Sequence, residues 1–407
     1  MTIRICGDEG MKYKLGELCY VVSGGTPSRA ITEFWEGGTI PWIKIGNIKG
    51  KYVGEVDEYI TQAGLEGSSA KILSAGTILF TIFATLGEAG IVTIRACTNQ
   101  AIAGITIKNQ SEALTDYLYY FLKSKKSHVT SLGRGVAQNN INLSILRNFE
   151  VPIPALSMQK QIVDVLNKAE KIIEARQRQL QKLDELVKAR FIELFGTETE
   201  FDKWPCCTIG DVADVCVGVV IKPTQYYTDK GIPAFRSLNI GEMHVKDSDW
   251  VYFTEEGHQK NQKSVVHKND VLVVRSGAPG TACVATEKYD GYNAVDIIIA
   301  HPDNSKVNSI FLAAFTNMPH GMNQIRERTG GAAQQHFNVG GYKAMRLIMP
   351  SIELQNQYAA FAEQTDKSKV AVQKALQRIT PMRRKSSRFS IKNTRTFPAL
   401  PRSSITI

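Results

Sequence analysis

The sequence predicts an α+β fold in which two tandem mixed α/β domains are separated by long antiparallel coiled-coil helices and related by a pseudo-twofold internal repeat. Three observations predict it. The chain has 407 residues, which exceeds what one hydrophobic core usually serves. Several segments recur in the same order in the second half of the chain. Each copy then ends in a segment whose apolar residues follow a heptad spacing.

The internal repeat is clearest in two segments. Residues 40–48 (IPWIKIGNI) match residues 232–240 (IPAFRSLNI) at an offset of 192, and residues 135–142 (GVAQNNIN) match residues 331–338 (GAAQQHFN) at an offset of 196. A period of this length far exceeds a solenoid unit, so each copy is a whole domain followed by a helix. The chain is therefore a tandem duplication.

The predicted boundaries follow from turn residues and helix signals. Short β-rich runs lie between Gly, Asn and Asp turns, and one helical segment interrupts them in each copy, so each domain mixes helix and strand. Pro154 and Pro350 end the domains. We predict a first domain, a central long helix, a second domain, a second helix and a disordered basic tail, at residues 1–155, 156–197, 198–351, 352–379 and 380–407.

The central helix is predicted from a stretch between Ser157 and Phe195 that contains neither Gly nor Pro. Its apolar residues alternate between spacings of four and three, which is a heptad seam. A helix of about 40 residues would be about 60 Å long. The second helix has a more polar seam, so we expect it to pair with a partner, most simply the first helix. The alternative is an ordinary amphipathic helix folded onto its own domain.

Composition restricts the function classes. The net charge is +10, but eight Lys or Arg and no acidic residue lie from Arg378 to the end, which leaves the body at about +2. Any nucleic-acid surface must therefore be local. No run of about 18 apolar residues and no signal peptide occurs, so we expect a cytoplasmic protein. The seven cysteines form no C-x-x-C pair, so we expect reduced cysteines and no metal site.

Repeated polar positions are candidates for reading bases, because Arg or Lys suits guanine and Asn or Gln suits adenine. Lys44 and Arg236 each follow a strand and precede an Asn-Ile turn; the alternative is a plain surface charge. Adjacent amides in a Gly-containing loop are costly to bury and offer base-edge hydrogen bonds, although a solvated loop remains possible. The loop candidates are Arg134, Gln138, Asn139 and Asn140 in the first copy, and Arg328, Gln334 and Gln335 in the second.

Motifs for catalysis do not emerge from the sequence. A lone methyltransferase should show a Gly-rich cofactor loop after a strand and an acidic or Asn-Pro-Pro-aromatic motif, and an ATPase should show a Walker loop. Neither pattern is found. Pro302-Asp303 with Lys306 lacks the paired acid of a nuclease site. We therefore expect a non-catalytic chain.

The ordered segments resemble the specificity subunits of Type I restriction-modification systems over residues 13 to about 377. The similar segments are residues 15–18 (LGEL), 23–27 (SGGTP), 40–44 (IPWIK), 76–79 (GTIL), 138–141 (QNNI), 151–154 (VPIP) and 159–162 (QKQI). In the second half, Arg275-Ser276-Gly277 and Gly280 look like the family's strand-and-Gly turn. In the first half, Ile82-Phe83 stand where the Arg-Ser pair would be.

The resemblance implies a non-catalytic subunit with two target recognition domains, each reading one half of a split DNA target. The helices would dock two methyltransferase (modification) subunits, joined by restriction (translocase) subunits, and S-adenosylmethionine, ATP and magnesium would be used by those partners rather than bound by this chain. We assign DNA contacts to Arg275 and Ser276 as well. The residues predicted to dock subunits are Ile162, Leu166, Ile173, Leu180, Leu183 and Val187.

The two copies differ at these loops, so we expect an asymmetric target. The chain departs from the family where its second helix is predicted to break near Thr380-Pro381. Two alternatives remain open. One is a specificity subunit of a restriction-modification system that cuts without translocation, and the other is a two-domain adaptor that binds protein rather than DNA.

Overall fold

The computed structural model describes residues 11–133, 140–329 and 336–386. Its contacts divide the chain into two compact units. The first comprises Met1–Arg176 with Lys374–Ile407, and the second comprises Gln177–Gln373. Each unit combines one mixed domain with part of each long helix, because the helices cross the boundary between the units.

The first domain contains three small sheets. Their strands are β1 (Met11–Lys14), β2 (Cys19–Ser23), β3 (Ile40–Ile43), β4 (Tyr52–Val53), β5 (Tyr59–Ile60), β6 (Ile78–Thr81), β7 (Ala89–Val92), β8 (Cys97–Thr98), β9 (Ile102–Ile107) and β10 (Glu150–Ile153). The sheet orders are β2-β9-β6-β7-β4, β5-β3-β8 and β1-β10. The helices are α1 (Leu15–Leu18), α2 (Gln62–Glu66), α3 (Thr115–Ser124), α4 (Lys126–Gly133), α5 (Leu143–Arg147) and the long α6 (Leu156–Phe195). All four residues of the strand β6 are buried.

The second domain has the same kind of architecture. Its strands are β11 (Cys206–Thr208), β12 (Ala213–Val217), β13 (Tyr227–Thr228), β14 (Ile232–Phe235), β15 (Ile240–Gly241), β16 (His244–Val245), β17 (Val251–Phe253), β18 (Val271–Val274), β19 (Ala282–Val284), β20 (Asn293–Ala294), β21 (Ile297–Pro302) and β22 (Arg346–Ile348). Its helices are α7 (Ile209–Val212), α8 (Glu255–Lys260), α9 (Ser309–Asn317), α10 (Pro319–Thr329), α11 (Val339–Lys343) and the long α12 (Ile352–Ser386). The main sheet has the order β12-β21-β18-β19.

The predicted duplication is confirmed by strand order and register. In the first domain β9 pairs antiparallel with both β2 and β6, and in the second β21 pairs antiparallel with both β12 and β18. The parallel pair of β3 with β8 is repeated by β14 with β20. The fold class predicted from the sequence, mixed helix and sheet in two related copies, is therefore confirmed.

A buried glutamine fixes the start of each long helix to its domain. The Gln159 side chain is fully buried; its Oε1 accepts from the Leu114 amide at 2.9 Å and its Nε2 donates to the Glu112 and Pro154 carbonyls at 2.8 Å. Gln355 is also fully buried and repeats this arrangement with Asn308 and Pro350 at 2.9 Å. Because a buried amide must be hydrogen-bonded, this repeated Gln orients the helix in each copy.

Within the second unit, α6 and α12 pack antiparallel. The rings of Phe195 and Tyr358 are 5.7 Å apart, the Arg190 guanidinium lies 5.8 Å from the Phe361 ring, and Asp184 forms an ion pair with Lys369. Residues progressively earlier in α6 thus contact residues progressively later in α12, so the two helices run in opposite directions. This confirms the prediction that the second helix pairs with the first.

The residues predicted to dock partner subunits require a correction. Ile162 packs into the core of the first domain and Val187 into that of the second, and Ile173 is only 9% exposed. Leu166, Leu180 and Leu183 are half-buried. At Ile162, Ile173 and Val187 the chain itself covers the heptad seam, so these three positions cannot form a free docking surface. The assignment of Leu166, Leu180 and Leu183 to subunit docking stays a prediction. The amphipathic alternative, a helix folded onto its own domain, therefore holds for the part of α6 around Ile162.

The predicted end of the second helix at residue 379 is also wrong. The helix α12 continues through Pro381 to Ser386. A proline inside a helix removes its own N–H donor and crowds the preceding turn, a cost that one position in a long helix can bear. The predicted disorder of residues 387–407 lies outside the described residues. None of the helices in the described ranges has both the length and the apolar character needed to cross a bilayer.

Candidate nucleic-acid interface

In the first domain, four chain segments meet at one edge of the main sheet. The amide of Gly24, just after β2, donates to the Ile102 carbonyl at 3.1 Å, and that of Gly25 donates to Thr98 at 2.9 Å. The amide of Ile141 donates to the carbonyl of Ile82, just after β6, at 3.0 Å. The loops that leave these strands, which we call the loop edge, therefore lie side by side.

The second domain has an equivalent loop edge. Gly218, just after β12, donates to the Ile297 carbonyl at 2.9 Å, and Val219 donates to Ala294 at 2.8 Å. The Phe337 amide donates to the carbonyl of Arg275, just after β18, at 3.0 Å. These three backbone bonds correspond one by one to those of the first domain, so the two copies present one framework.

Glycine is required where these loops approach the neighbouring strand. A Cβ at Gly24 would lie 2.2 Å from the Thr98 carbonyl oxygen, and a Cβ at Gly218 would lie 2.5 Å from the Ala294 carbonyl. Real side chains do not tolerate such contacts, which involve rigid backbone. These two glycines therefore allow the strands at each loop edge to lie this close together.

Arg275 fixes the loop edge of the second domain. Its guanidinium Nη1 lies 2.7 Å from Asp296 Oδ1, and its Nε donates to the Phe337 carbonyl at 3.2 Å. The Arg275 side chain is only 15% exposed. The structure thus places this predicted DNA-contacting residue at the loop edge, where its charge engages Asp296 and its Nε holds the Phe337 carbonyl. Its assignment as a DNA contact stays a prediction.

The side chains at the position of Ser276 differ between the two domains. The Ser276 hydroxyl lies 2.9 Å from Nδ1 of His336, which places polar groups at the surface of the second loop edge. At the same place in the first domain, Phe83 forms a β-bridge with Asn140 and its side chain is 39% exposed. The same backbone framework therefore carries a polar pair in one copy and an exposed aromatic ring in the other.

The predicted cation Lys44 belongs to an ion-pair cluster. Its Nζ lies 2.9 Å from Asp57 and also pairs with Glu58, which Arg29 contacts as well. Hydrogen bonds from the Asn47 amide and from Lys44 lower the pKa of Asp57 to about 2, and Lys44 lowers that of Glu58. The charge of Lys44 is thus balanced by two ionised carboxylates, which weakens its assignment as a DNA contact.

Arg236 and Arg328 also make contacts within the domain. The amide of Arg236 donates to Asn239 Oδ1 at 2.9 Å, which repeats the bond from Lys44 to Asn47, and its guanidinium donates to the Asp249 carbonyl. Arg328 donates to the carbonyls of Gln324 and Ala344, at 2.9 and 3.3 Å. The Arg328 bonds tie α10 to the residue that follows α11, which is a structural role.

The amide loops lie mostly outside the described residues. Those predicted residues are Arg134, Gln138, Asn139, Gln334 and Gln335. The residues that follow the loops are described, and they lie at the loop edges: Asn140 forms a β-bridge with Phe83, and His336 contacts Ser276. The assignment of the five residues to DNA contacts stays a prediction.

Sequence reasoning missed two exposed cations on the loops that follow the first strand of each main sheet. Arg29 lies over the Trp35 ring with 3.5 Å between guanidinium carbon and ring centroid, and its side chain is 55% exposed. In the second domain, the corresponding loop carries the exposed Lys222 and Ile221, the latter 79% exposed. These residues are not similar in sequence between the copies, so the repeat gave no signal for them.

Metal chemistry has no support in the described ranges, where no group of three or more His, Cys, Asp or Glu side chains is arranged to hold a metal ion. At the two loop edges, the backbone hydrogen bonds are the same and the side chains differ.

A family model of known proteins matches part of the chain. Residues 8–185 match the Type I restriction modification DNA specificity domain. The chain is 27% identical over 287 residues to the specificity subunit of the Type I restriction enzyme MjaIX from Methanocaldococcus jannaschii, covering 65% of this chain and 65% of that protein. It is 23% identical over 364 residues to the EcoprrI specificity subunit from Escherichia coli, covering 84% of each. With the archaeal relative, the chain thus matches slightly less than two thirds of that protein's length.

Solved structures show the same fold. The Type I restriction-modification S subunit from M. genitalium matches with a TM-score of 0.56 and 15% identity, over 97% of this chain and 99% of that one. A chain from a study of assembly and conformational transition in the type I system matches with a TM-score of 0.55 and 15% identity, over 94% and 97%. The resemblance read from the sequence is confirmed: over residues 8–185 the chain matches the family model of the Type I DNA specificity domain, and it is similar in sequence to specificity subunits of Type I restriction enzymes.

Proposed function

We propose that this chain is the DNA sequence-recognition subunit of a Type I restriction-modification complex, with each domain reading one half of a split asymmetric target through its loop edge. The chain contributes no catalytic group to this function. Methylation and cleavage belong to partner methyltransferase and restriction subunits, which use S-adenosylmethionine, ATP and magnesium. The complex acts on host and foreign DNA in the cytoplasm.

One observation carries the proposal, namely that two loop edges share three backbone hydrogen bonds while their side chains differ. A framework held by backbone bonds leaves its side chains free to vary, which is what two readers of different sequences need. Ser276 with His336 offers polar atoms to base edges, whereas Phe83 offers an apolar ring that suits a thymine methyl group. The differing side chains therefore support two different half-sites.

Phosphate contacts require cations near the loops that read the bases. Arg29 in the first domain and Lys222 in the second are exposed on equivalent loops. We assign these two side chains to the DNA backbone, in addition to the cations predicted from the repeat. Such contacts position the subunit without carrying sequence information.

Partner subunits need an exposed apolar surface on the long helices, because Ile162, Ile173 and Val187 of the heptad seam are buried. In the first unit, Val165 and Ile172 are 48% and 47% exposed on α6, and in the second unit Leu186 is 48% exposed. They lie seven or fourteen residues apart, so they recur at heptad positions. We propose that these residues, rather than the covered seam, dock the methyltransferase subunits.

Several hydrogen bonds hold α6 on the first domain. A subunit that positions catalytic partners requires such a fixed connection. Lys51 Nζ lies 2.9 Å from Asp116 and 2.8 Å from Asn167 Oδ1 on the helix. The Tyr120 hydroxyl lies 2.7 Å from Asn167 and 2.9 Å from Glu170. These bonds connect the domain that reads DNA to the helix that carries the docking residues.

A test of the proposal measures duplex DNA binding by the chain assembled with its methyltransferase partner, at several salt concentrations. Neutralising phosphates releases counterions, so the logarithm of affinity should fall linearly with the logarithm of salt, by roughly 0.9 per phosphate contacted. A complex that forms but shows no salt-dependent duplex binding would favour the adaptor alternative. A gene for a large helicase-bearing restriction subunit beside this one supports Type I over a system that cuts without translocation.

A further inference from the structure

Three side chains form a row across the main sheet of the second domain. Cys216 lies on β12, His301 on β21, and Asp270 immediately before β18. Ile299 is the register partner of Cys216, and His301 is two residues further along the same strand, so their side chains share one face. The register of Val271 with Ala300 places Asp270 beside His301 on that face.

Hydrogen bonds orient the imidazole of His301 between the other two groups. Its Nδ1 lies 2.7 Å from Asp270 Oδ1, and its Nε2 lies 3.6 Å from Cys216 Sγ. The second oxygen of Asp270 accepts the His267 amide at 2.6 Å. Because the Asp270 side chain is 4% exposed and both of its oxygens are engaged, it remains an acceptor and holds the proton on Nδ1.

The environment favours a charged imidazole. The hydrogen bond to Asp270 is the main cause that raises the pKa of His301 to about 10, with a smaller contribution from Cys216. The other charged groups nearby form separate pairs: His267 lies 3.6 Å from Asp290, and Asp214 lies 3.7 Å from Lys343. An imidazolium within hydrogen-bonding distance of a thiol favours the thiolate.

Cys216 also contacts a backbone carbonyl. Its Sγ lies 3.2 Å from the Lys263 carbonyl oxygen, to which a thiol would donate. A thiol is a weak donor, whereas a hydrogen bond between charged groups is about twice as strong as a neutral one. Of the two contacts of Cys216, only the one with His301 therefore involves a group that can carry a charge.

The first domain shows that the fold does not need this row. By strand register, the equivalents of Cys216, His301 and Asp270 are Val22, Thr106 and Thr77. There the row is neutral, and the two threonine hydroxyls lie 3.2 Å apart. A charged row with a nucleophile is thus a property of the second domain alone and not of the duplicated architecture.

We propose that Cys216, His301 and Asp270 form a thiolate–imidazolium site at which Cys216 is oxidised by hydroperoxides. The Cys216 thiolate attacks one peroxide oxygen, so an S–O bond forms as the O–O bond breaks. The leaving oxygen takes the proton from His301 Nε2 and departs as water or an alcohol. The sulfur loses two electrons to become a sulfenic acid, and the peroxide is reduced by the same two electrons.

The first measurement compares two half-buried cysteines in the unaltered full chain. Burial raises the pKa of Cys207, which serves as the internal reference. An ordinary thiol is only a few per cent ionised at pH 7, so iodoacetamide should label Cys216 about tenfold faster than Cys207. Hydrogen peroxide followed by dimedone should trap a sulfenic acid at Cys216. Equal labelling rates, or no trapped adduct, would overturn the proposal whatever the variants do.

The variant His301→Gln tests the role of the imidazole. It should slow labelling of Cys216 about tenfold and leave the rate at Cys207 unchanged, and Cys216→Ser should remove the label entirely. An unchanged rate at Cys216 in a variant whose Cys207 rate is also unchanged would contradict the site. Labelling of the fully buried Cys283 would reveal an unfolded variant, in which case the comparison within the unaltered chain decides the matter.

Discussion

Replacing Phe191 by alanine should lower the free energy of unfolding of the chain by about 3–5 kcal/mol. The Phe191 ring is fully buried between the long helices and the second domain, with ring centroids 4.8 Å from Phe195, 5.8 Å from Phe311 and 5.4 Å from Tyr358. Its removal would leave a cavity that rigid aromatic neighbours fill poorly. Because whole domains are stable by only about 5–15 kcal/mol, the loss is a large fraction of the total.

Urea unfolding followed by far-ultraviolet circular dichroism measures this loss. The matched control is Ile192→Ala, the next residue of the same helix, whose side chain is 42% exposed. This control should change the free energy of unfolding by less than about 0.5 kcal/mol. If both variants unfold alike, the second domain is not anchored on α6 through this aromatic cluster.

Replacing Arg275 by alanine should weaken duplex binding by the assembled complex by about 10- to 150-fold. The change removes the bonds to Asp296 and to the Phe337 carbonyl that hold the loop edge of the second domain. Hydrogen bonds that involve charged groups contribute about 1.5–3 kcal/mol each, and every 1.4 kcal/mol of lost binding energy is tenfold in affinity. The loss should fall on the half-site read by the second domain.

The control for this change is Arg346→Ala in the same domain. Arg346 also pairs with a carboxylate, Asp202, but it lies on β22, outside the loop edge, and its side chain is 55% exposed. Its replacement should leave duplex affinity within a factor of about two, because surface ion pairs contribute little. Equal weakening by both variants would mean that general destabilisation, and not the loop edge, accounts for the effect.

The architecture could be predicted because duplication leaves a pattern that is independent of contacts. The match of residues 40–48 with 232–240 located equivalent strands, and the buried Gln159 and Gln355 make equivalent contacts at the starts of the two long helices. Heptad spacing predicted the long helices but not which surface covers them. Ile162 and Val187 have the same spacing whether a partner subunit or the chain's own domain lies against them, and only the folded structure separates the two cases.

The candidate site was predicted less completely, since side-chain roles depend on residues that are distant in sequence. Lys44 was expected to face DNA, but Asp57 and Glu58 approach it once β3 and β5 pair. Arg275 was assigned to DNA from the family resemblance, and Asp296 engages its charge across the sheet. The pairing of three strands brings Cys216, His301 and Asp270 together, so no local sequence motif predicts the row.

The central claim, that two domains read two different half-sites, is tested most directly by mapping methylated bases in DNA from cells that express this chain with its methyltransferase partner. We predict adenine methylation in a split, asymmetric motif, which is lost when residues 13–150 or residues 201–350 are deleted. Arg275→Ala should relax or abolish the requirement for one half-site only. An uninterrupted or palindromic motif, or a motif that persists after either domain is deleted, would contradict the account.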